Sequence, residues 1–488
     1  MDILTARRVS AEYRFEGFAP NGQQRLDGVL RRAAGGPLEI ALMQAGLDGP
    51  GLICLKLVDT RIRVRLQDTD EALAGAWSLA LVDSIRHAAT QSESANLVRY
   101  RSRAQALTDL VVRVLQGDFE RAWAWRQIGL WPDGIAPVPS NTAVAVAAAL
   151  ASEPRLLPAI IAEAQRLGVL DSLVETVPDH LVWLRWAELA WSAVTGGELP
   201  PHVEEQPGTT EPGQSNTALL PLLNSSLFGA LRRIALIQSR SVAAPSAALL
   251  RAWAALILLA CEPARAGASA SSLLPLLVRS LDPAPTASIV SSPGAQPATG
   301  PFAAPANEPS PASEADSLAA PETRKPAVSR YGGLLYLLNL LDQMGLVAEF
   351  LHPHWPRSVA WTLHRLALLL TPGEEDDPAV LAFAGLGPDA RLPSEAQAPP
   401  SDLEFAQLAL WKQAIAEDLE HRLDRLRLRG EPLLRFVCDR PSVILADPGW
   451  LEVRLRLDDV SVDIRRARLD LNPGYLPWLG ITVVFVYE

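Results

Sequence analysis

Cysteine is scarce in this chain. Cys54, Cys261 and Cys438 stand far apart among apolar residues, with no C-x-x-C pair and an odd total. That excludes a disulfide scaffold and predicts reduced, buried thiols and a cytoplasmic setting. Long hydrophobic runs are missing too. The longest, around Ala252 to Cys261 and Leu366 to Leu370, are too short to span a bilayer, and Met1 to Arg8 lacks the apolar stretch of a secretory signal. Basic charge is outweighed: 44 Lys and Arg against 55 Asp and Glu leave −11 and a pI near 5.3. This is the wrong sign for a general nucleic-acid binder, so no nucleic-acid and no membrane partner is expected. Even the Arg-rich stretch from His421 to Asp470 nearly balances itself and reads as solvated, paired faces.

Motifs for bond-making chemistry are also missing. There is no G-x-x-x-x-G-K-[ST], no G-x-G-x-x-G after a strand and no G-x-S-x-G, the usual marks of a phosphate cradle or a nucleophile elbow. His352, His354 and His364 lie near Glu374, Glu375, Asp376 and Asp377. Their spacing fits neither H-E-x-x-H nor a zinc-finger pair, so the expectation is no metal, no cofactor and no catalytic residue.

What the chain does have is helix-forming bulk. Its 488 residues are 49% hydrophobic with a mean hydropathy of +0.11, enough for two to four domains. The predicted class is α+β and mostly α-helical, with a small α/β N-terminal domain, helical middle blocks and a β-rich C-terminal module. Val9, Ala11, Tyr13 and Phe15 alternate with polar residues as a half-buried strand would. A helical stretch follows from Gln23 to Gln44, interrupted at Gly35-Gly36-Pro37. Leu52 to Leu66 is strand-like with a turn near Asp59, and Asp68 or Thr69 caps a helix through Ile85. This domain occupies 1–95. A helical domain at 101–197 comes next, then a linker at 198–217 and a helical segment at 218–281. Residues 282–328 are so rich in Pro, Ala and Ser that a disordered linker is expected. A helical domain at 329–430 includes the capping box of Ser401 and Glu404, with Gly430 as its expected stop.

The C-terminal module, 431–488, states one signature twice: Asp447-Pro448-Gly449-Trp450 and Asn472-Pro473-Gly474-Tyr475. Pro fixes φ at the first corner of a turn and Gly supplies the second, so each pair should launch a strand with an aromatic anchor. Leu451 to Leu457 and Val460 to Ile464 alternate with opposite parity, which predicts a hairpin turning at Asp458-Asp459, with a bulge or crossover as the alternative because Asp-Asp is a poorer turn than Asp-Gly. The apolar run Ile481 to Tyr487 must lie inside a sheet or pair with a partner. Most of the thirteen tryptophans sit at helical spacing and read as core. Trp450, Tyr475, Trp478, Phe485 and Tyr487, beside turns or in the last strand, are the candidate protein-interface residues.

The run Tyr331-Gly332-Gly333-Leu334-Leu335-Tyr336-Leu337-Leu338-Asn339-Leu340-Leu341, followed by Met344-Gly345-Leu346, resembles a segment of the tape-measure-like proteins of contractile injection systems. Ile53 to Leu66 with its following helix, Ala122 to Trp131, and Asp447 to Tyr487 are similar in layout. The resemblance implies a non-enzymatic component involved in assembling a phage-tail-like particle, with a link to tube length as one form of that role. The expected partners are tube, baseplate or sheath proteins or an effector cargo, with the oligomeric state open. Short helices broken by proline favour scaffolding over a literal ruler. A chaperone or adaptor for a toxin cargo is the alternative, and an unrecognised hydrolase the remaining one.

Overall fold

Capping and periodicity place most helices where the sequence predicts them. The computed structural model describes residues 11–16, 20–44, 51–90, 96–201, 215–241, 244–283, 326–352, 355–387, 390, 392 and 398–488. The fold is α+β and mostly helical. Two compact units form, one of residues 1–153 with 172–177, the other of 154–171 with 178–488. Most of the 282–328 linker and most of 198–217 lie outside the described residues, as does His354. Among the described residues no helix is long and apolar enough to cross a membrane.

In the first unit, helices Gly22–Ala34 and Pro37–Gln44 pack on the helix Asp70–Thr90, burying Val29, Ala33, Leu73 and Ala74 in one cluster and Leu38, Ala41 and Val82 in another. Strand β1 (Leu52–Leu55) pairs antiparallel with β2 (Leu97–Tyr100), a partner that the local pattern does not announce. The strand expected on Leu52 to Leu66 therefore stops at Leu55. Beyond it, among the described residues, no second strand offers hydrogen bonds, and alternation without a partner does not hold a strand. For the same reason residues 11–16 form none; Tyr13 instead donates its hydroxyl to Asp27 at 2.8 Å. Helices Arg103–Leu115, Ala122–Gln127 and Thr142–Ser152, with the 3-10 turn Pro139–Asn141, complete the described elements up to residue 153.

The second unit contains the helices of 215–281 and the domain from 326 onward. Trp183 on the helix His180–Thr195 meets Trp253 on Ala247–Cys261 edge to face at 6.2 Å. Five strands form one mixed sheet: β3 (Ala327–Ser329), β4 (Ser442–Asp447), β5 (Trp450–Leu455), β6 (Gly474–Leu476) and β7 (Ile481–Tyr487), in the order β3-β4-β5-β7-β6. The last strand lies inside, parallel to β5 and antiparallel to β6. Both edges are strands of three residues, short enough to blunt edge-to-edge pairing.

Two expectations are corrected here. The hairpin across Asp458-Asp459 does not form. Ser461 accepts from the Ile464 amide at 3.3 Å and caps a short helix, Val462–Arg466, so Val460 and Ile464 are buried at helical rather than strand spacing. Gly430 does not end the 402–422 helix, which stops at Arg422; it opens the next helix, Gly430–Cys438. The capping box itself is present, with Ser401 and Glu404 each satisfying the other's backbone amide.

Candidate functional site

The C-terminal sheet and the Tyr331–Leu341 run build one site. Gly332 donates its amide to the Arg440 carbonyl at 2.9 Å. A Cβ there would sit 2.2 Å from Ser442 Oγ, and one on Gly333 would sit 2.0 Å from the Val437 carbonyl oxygen. The glycine pair is thus required by close approach to the 430–438 helix and β4. Leu334 to Leu338 follow, fully buried, and the Tyr336 ring stands edge-on to Phe485 of β7 at 5.1 Å. The run and the last strand share one core.

Further hydrogen bonds fasten this junction. Ser329 Oγ donates to Asp377 Oδ1 at 2.8 Å and accepts from the Tyr331 amide at 3.0 Å, while Asp377 caps the helix Pro378–Phe383. Buried Arg440 donates to the carbonyls of Phe436 and Asp459. His364 is buried, with Nε2 2.8 Å from the Glu375 carbonyl, and burial lowers its pKa. Among the described residues no group of His, Cys, Asp and Glu is arranged to hold a metal ion.

The five interface candidates divide by face. Phe485 and Trp478 are buried, and Tyr487 donates its hydroxyl to the Asp470 carbonyl at 3.0 Å, so all three belong to the core that surrounds Tyr336. Trp450 and Tyr475 are half-buried on the opposite face. Each is registered against Thr482, so the three residues form a row across β5, β7 and β6. The Arg155 guanidinium lies 4.9 Å from the centre of the Tyr475 ring. The Pro448-Gly449 turn approaches Leu156 and Ala159, and a Cβ on Gly449, whose φ is 68°, would lie 3.2 to 3.3 Å from them. The signature turns are therefore used partly to seat the sheet on the start of the 157–166 helix.

Two buried carboxylates escaped the sequence because nothing local marks their burial, although each has an arginine three or four residues away. In the first unit, fully buried Asp109 accepts from Tyr100 Oη at 2.7 Å, Trp125 Nε1 at 3.1 Å, Arg113 Nε at 2.9 Å and Arg121 Nη1 at 3.2 Å. Burial, reinforced by Asp109, pushes the Tyr100 hydroxyl far up and keeps it a donor. In the second unit, Glu262 is buried between the 247–261 and 263–281 helices. Its neighbours are long: Arg265 Nε at 3.5 Å and the Val359 amide at 3.4 Å. Burial outweighs Arg265 and raises its pKa to about 7. Arg265 also donates to the Arg357 carbonyl at 2.8 Å, and the Arg357 fork holds Glu404 down to about 2. All three cysteines are free thiols, and burial raises them, to about 12 for Cys54 and Cys438 and about 11 for Cys261.

Two clefts open on the second unit. One, of about 420 Å³, is lined by Arg422, Leu423, Asp424, Arg425, Asp463 and Arg466. The other, of about 260 Å³, lies beside Tyr331 and is closed on one side by the Arg330–Asp439 pair, whose two bonds are both 2.6 Å. Comparison with protein-family models, with curated proteins and with solved structures finds no match to this chain.

Proposed function

We propose that this chain is a non-enzymatic assembly protein of a contractile, phage-tail-like injection particle, working by docking on other particle proteins. The observation that supports the reading is the shared core of Tyr331–Leu341 and the 447–487 module. These are two of the stretches that carry the resemblance, and the contact of Tyr336 with Phe485 joins them. The helix lengths favour scaffolding over measurement. The longest described helices, Asp70–Thr90 and Asp402–Arg422, have 21 residues each. At about 1.5 Å per residue each spans roughly 31 Å, far short of a tube-length ruler.

Co-expression of the full chain with tube, sheath or baseplate subunits of such a particle, followed by size-exclusion chromatography, tests the proposal. Co-elution with one of those subunits is expected. Failure to bind any of them, together with a stoichiometric complex with an effector protein, would replace assembly by cargo handling.

A further inference from the structure

We propose that Glu262 is a proton-operated clasp within the second unit. Neutral, it lets the hairpin of the 247–261 and 263–281 helices close on the start of the helix Val359–Leu370; charged, it loosens that joint. The inference is independent of the particle assignment.

The joint is a short chain of contacts. Glu262 stands at the N-cap of the 263–281 helix, donates its amide to the Leu258 carbonyl at 2.9 Å and turns its side chain to the 359–370 helix. There the Ser358 hydroxyl accepts from the Trp361 amide at 3.1 Å, and Glu262 Oε2 takes the first helical amide, that of Val359, at 3.4 Å. Arg265 crosses the same gap and donates to the Arg357 carbonyl at 2.8 Å. Arg357 in turn lies over the Trp361 ring at 4.4 Å and forks onto Glu404 at 2.6 and 2.8 Å.

The two carboxylates at the ends of this chain are served differently. Glu404 adds the Ser401 amide at 2.8 Å to its two Arg357 bonds. Glu262 is only 2% exposed, yet the Val359 amide and Arg265 Nε stand off at 3.4 and 3.5 Å, both from the same oxygen. Contacts that long are weak, and a buried charge is held well only by close donors. A neutral carboxyl needs no such compensation, and its carbonyl oxygen still accepts from Val359.

Among the described residues Arg265 is the one cation set against this carboxyl. The preceding helix brings Cys261, a thiol that burial keeps protonated and that meets Ser225. Across the joint Arg357 presents its carbonyl, its guanidinium being engaged by Glu404, while His364 and Arg365 are turned to Glu375. Burial therefore outweighs Arg265, and the proton changes hands near pH 7 rather than at the ordinary 4.5. Opening the joint returns the carboxyl to water, so closure is fullest below about pH 4.5 and weakens as pH rises through about 7.

Hydrogen exchange of the full chain, read by mass spectrometry between about pH 5.5 and about pH 8.5 with times scaled to the intrinsic rate, tests this. In the parent, protection over 359–366 should fall by at least about tenfold across that range, while the helix Arg103–Leu115 of the first unit keeps its own. Glu262→Gln keeps the shape and a carbonyl oxygen without the titration, so its profile should be flat. Glu404→Gln removes a carboxylate that stays charged throughout, so the fall should persist. A flat parent profile, an equal fall in Glu262→Gln, or an equal loss over 103–115 that marks global unfolding would each overturn the proposal.

Discussion

Arginine plays opposite parts in two regions of the molecule. Around Asp109, buried Arg113 and half-buried Arg121 join Tyr100 and Trp125, and one carboxylate collects four donors. On the second unit, Arg425, Arg427, Arg456 and Arg468 stand exposed, with no carboxylate paired to them among the described residues. The difference teaches where each charge acts. A buried guanidinium is tolerated only when paired, so its removal or its partner's removal is felt by the fold. An exposed one contributes little to stability and is available to a partner.

The strongest way to break this contrast is Asp109→Asn. It leaves the geometry but withdraws the charge that buried Arg113 and half-buried Arg121 face, and should cost about 3–5 kcal/mol in denaturant unfolding. A loss under about 1 kcal/mol would show that the hub is less dry than it looks.

Glu262→Gln sharpens the contrast by testing a buried carboxylate with poor partners. The folded pKa of about 7 lies above the ordinary 4.5, so the folded state holds the proton more tightly. This contribution is complete below about pH 4.5 and lost as pH rises through about 7, up to about 3 kcal/mol in all. Unfolding followed from pH 5 to 8 should show that decline in the parent and a flatter profile in the variant. Glu404 acts in the other direction: its contribution holds above about pH 4.5 and disappears as pH falls through about 2.

Gly333→Ala should cost about 1–3 kcal/mol, since its Cβ would collide with the Val437 carbonyl beside buried Arg440. Thermal unfolding measures it. The smallest effect belongs to the exposed side: Arg468→Gly should leave stability unchanged or raise it by up to about 1 kcal/mol, because φ is 57° there. A clear loss of Tm would mean that the Arg468 side chain supports the fold.

Local chemistry was legible in the sequence. Ser401 with Glu404 forms the capping box, Asp70 opens a helix just after Thr69, and the apolar run 481–487 lies inside a sheet. Pairings across long separations were not. Leu52–Leu55 finds Leu97–Tyr100, and β5 runs parallel to β7 with a helix between them, because Ser461 caps where alternation pointed to a strand. The candidate site was read in part. Trp450 and Tyr475 were picked out by their turns, while Arg155 and Thr482, which meet them or share the sheet with them, carry no local mark. Asp109 and Glu262 each have an arginine four or three residues on, and only the folded chain buries these pairs and adds Trp125 or the Val359 amide.

The measurement that tests the assembly role most directly is electron microscopy of particles from a clean in-frame deletion of this chain, with tube lengths compared to the parent. The proposal predicts missing, broken or length-scattered tubes. Particles of normal number and unchanged length would contradict it.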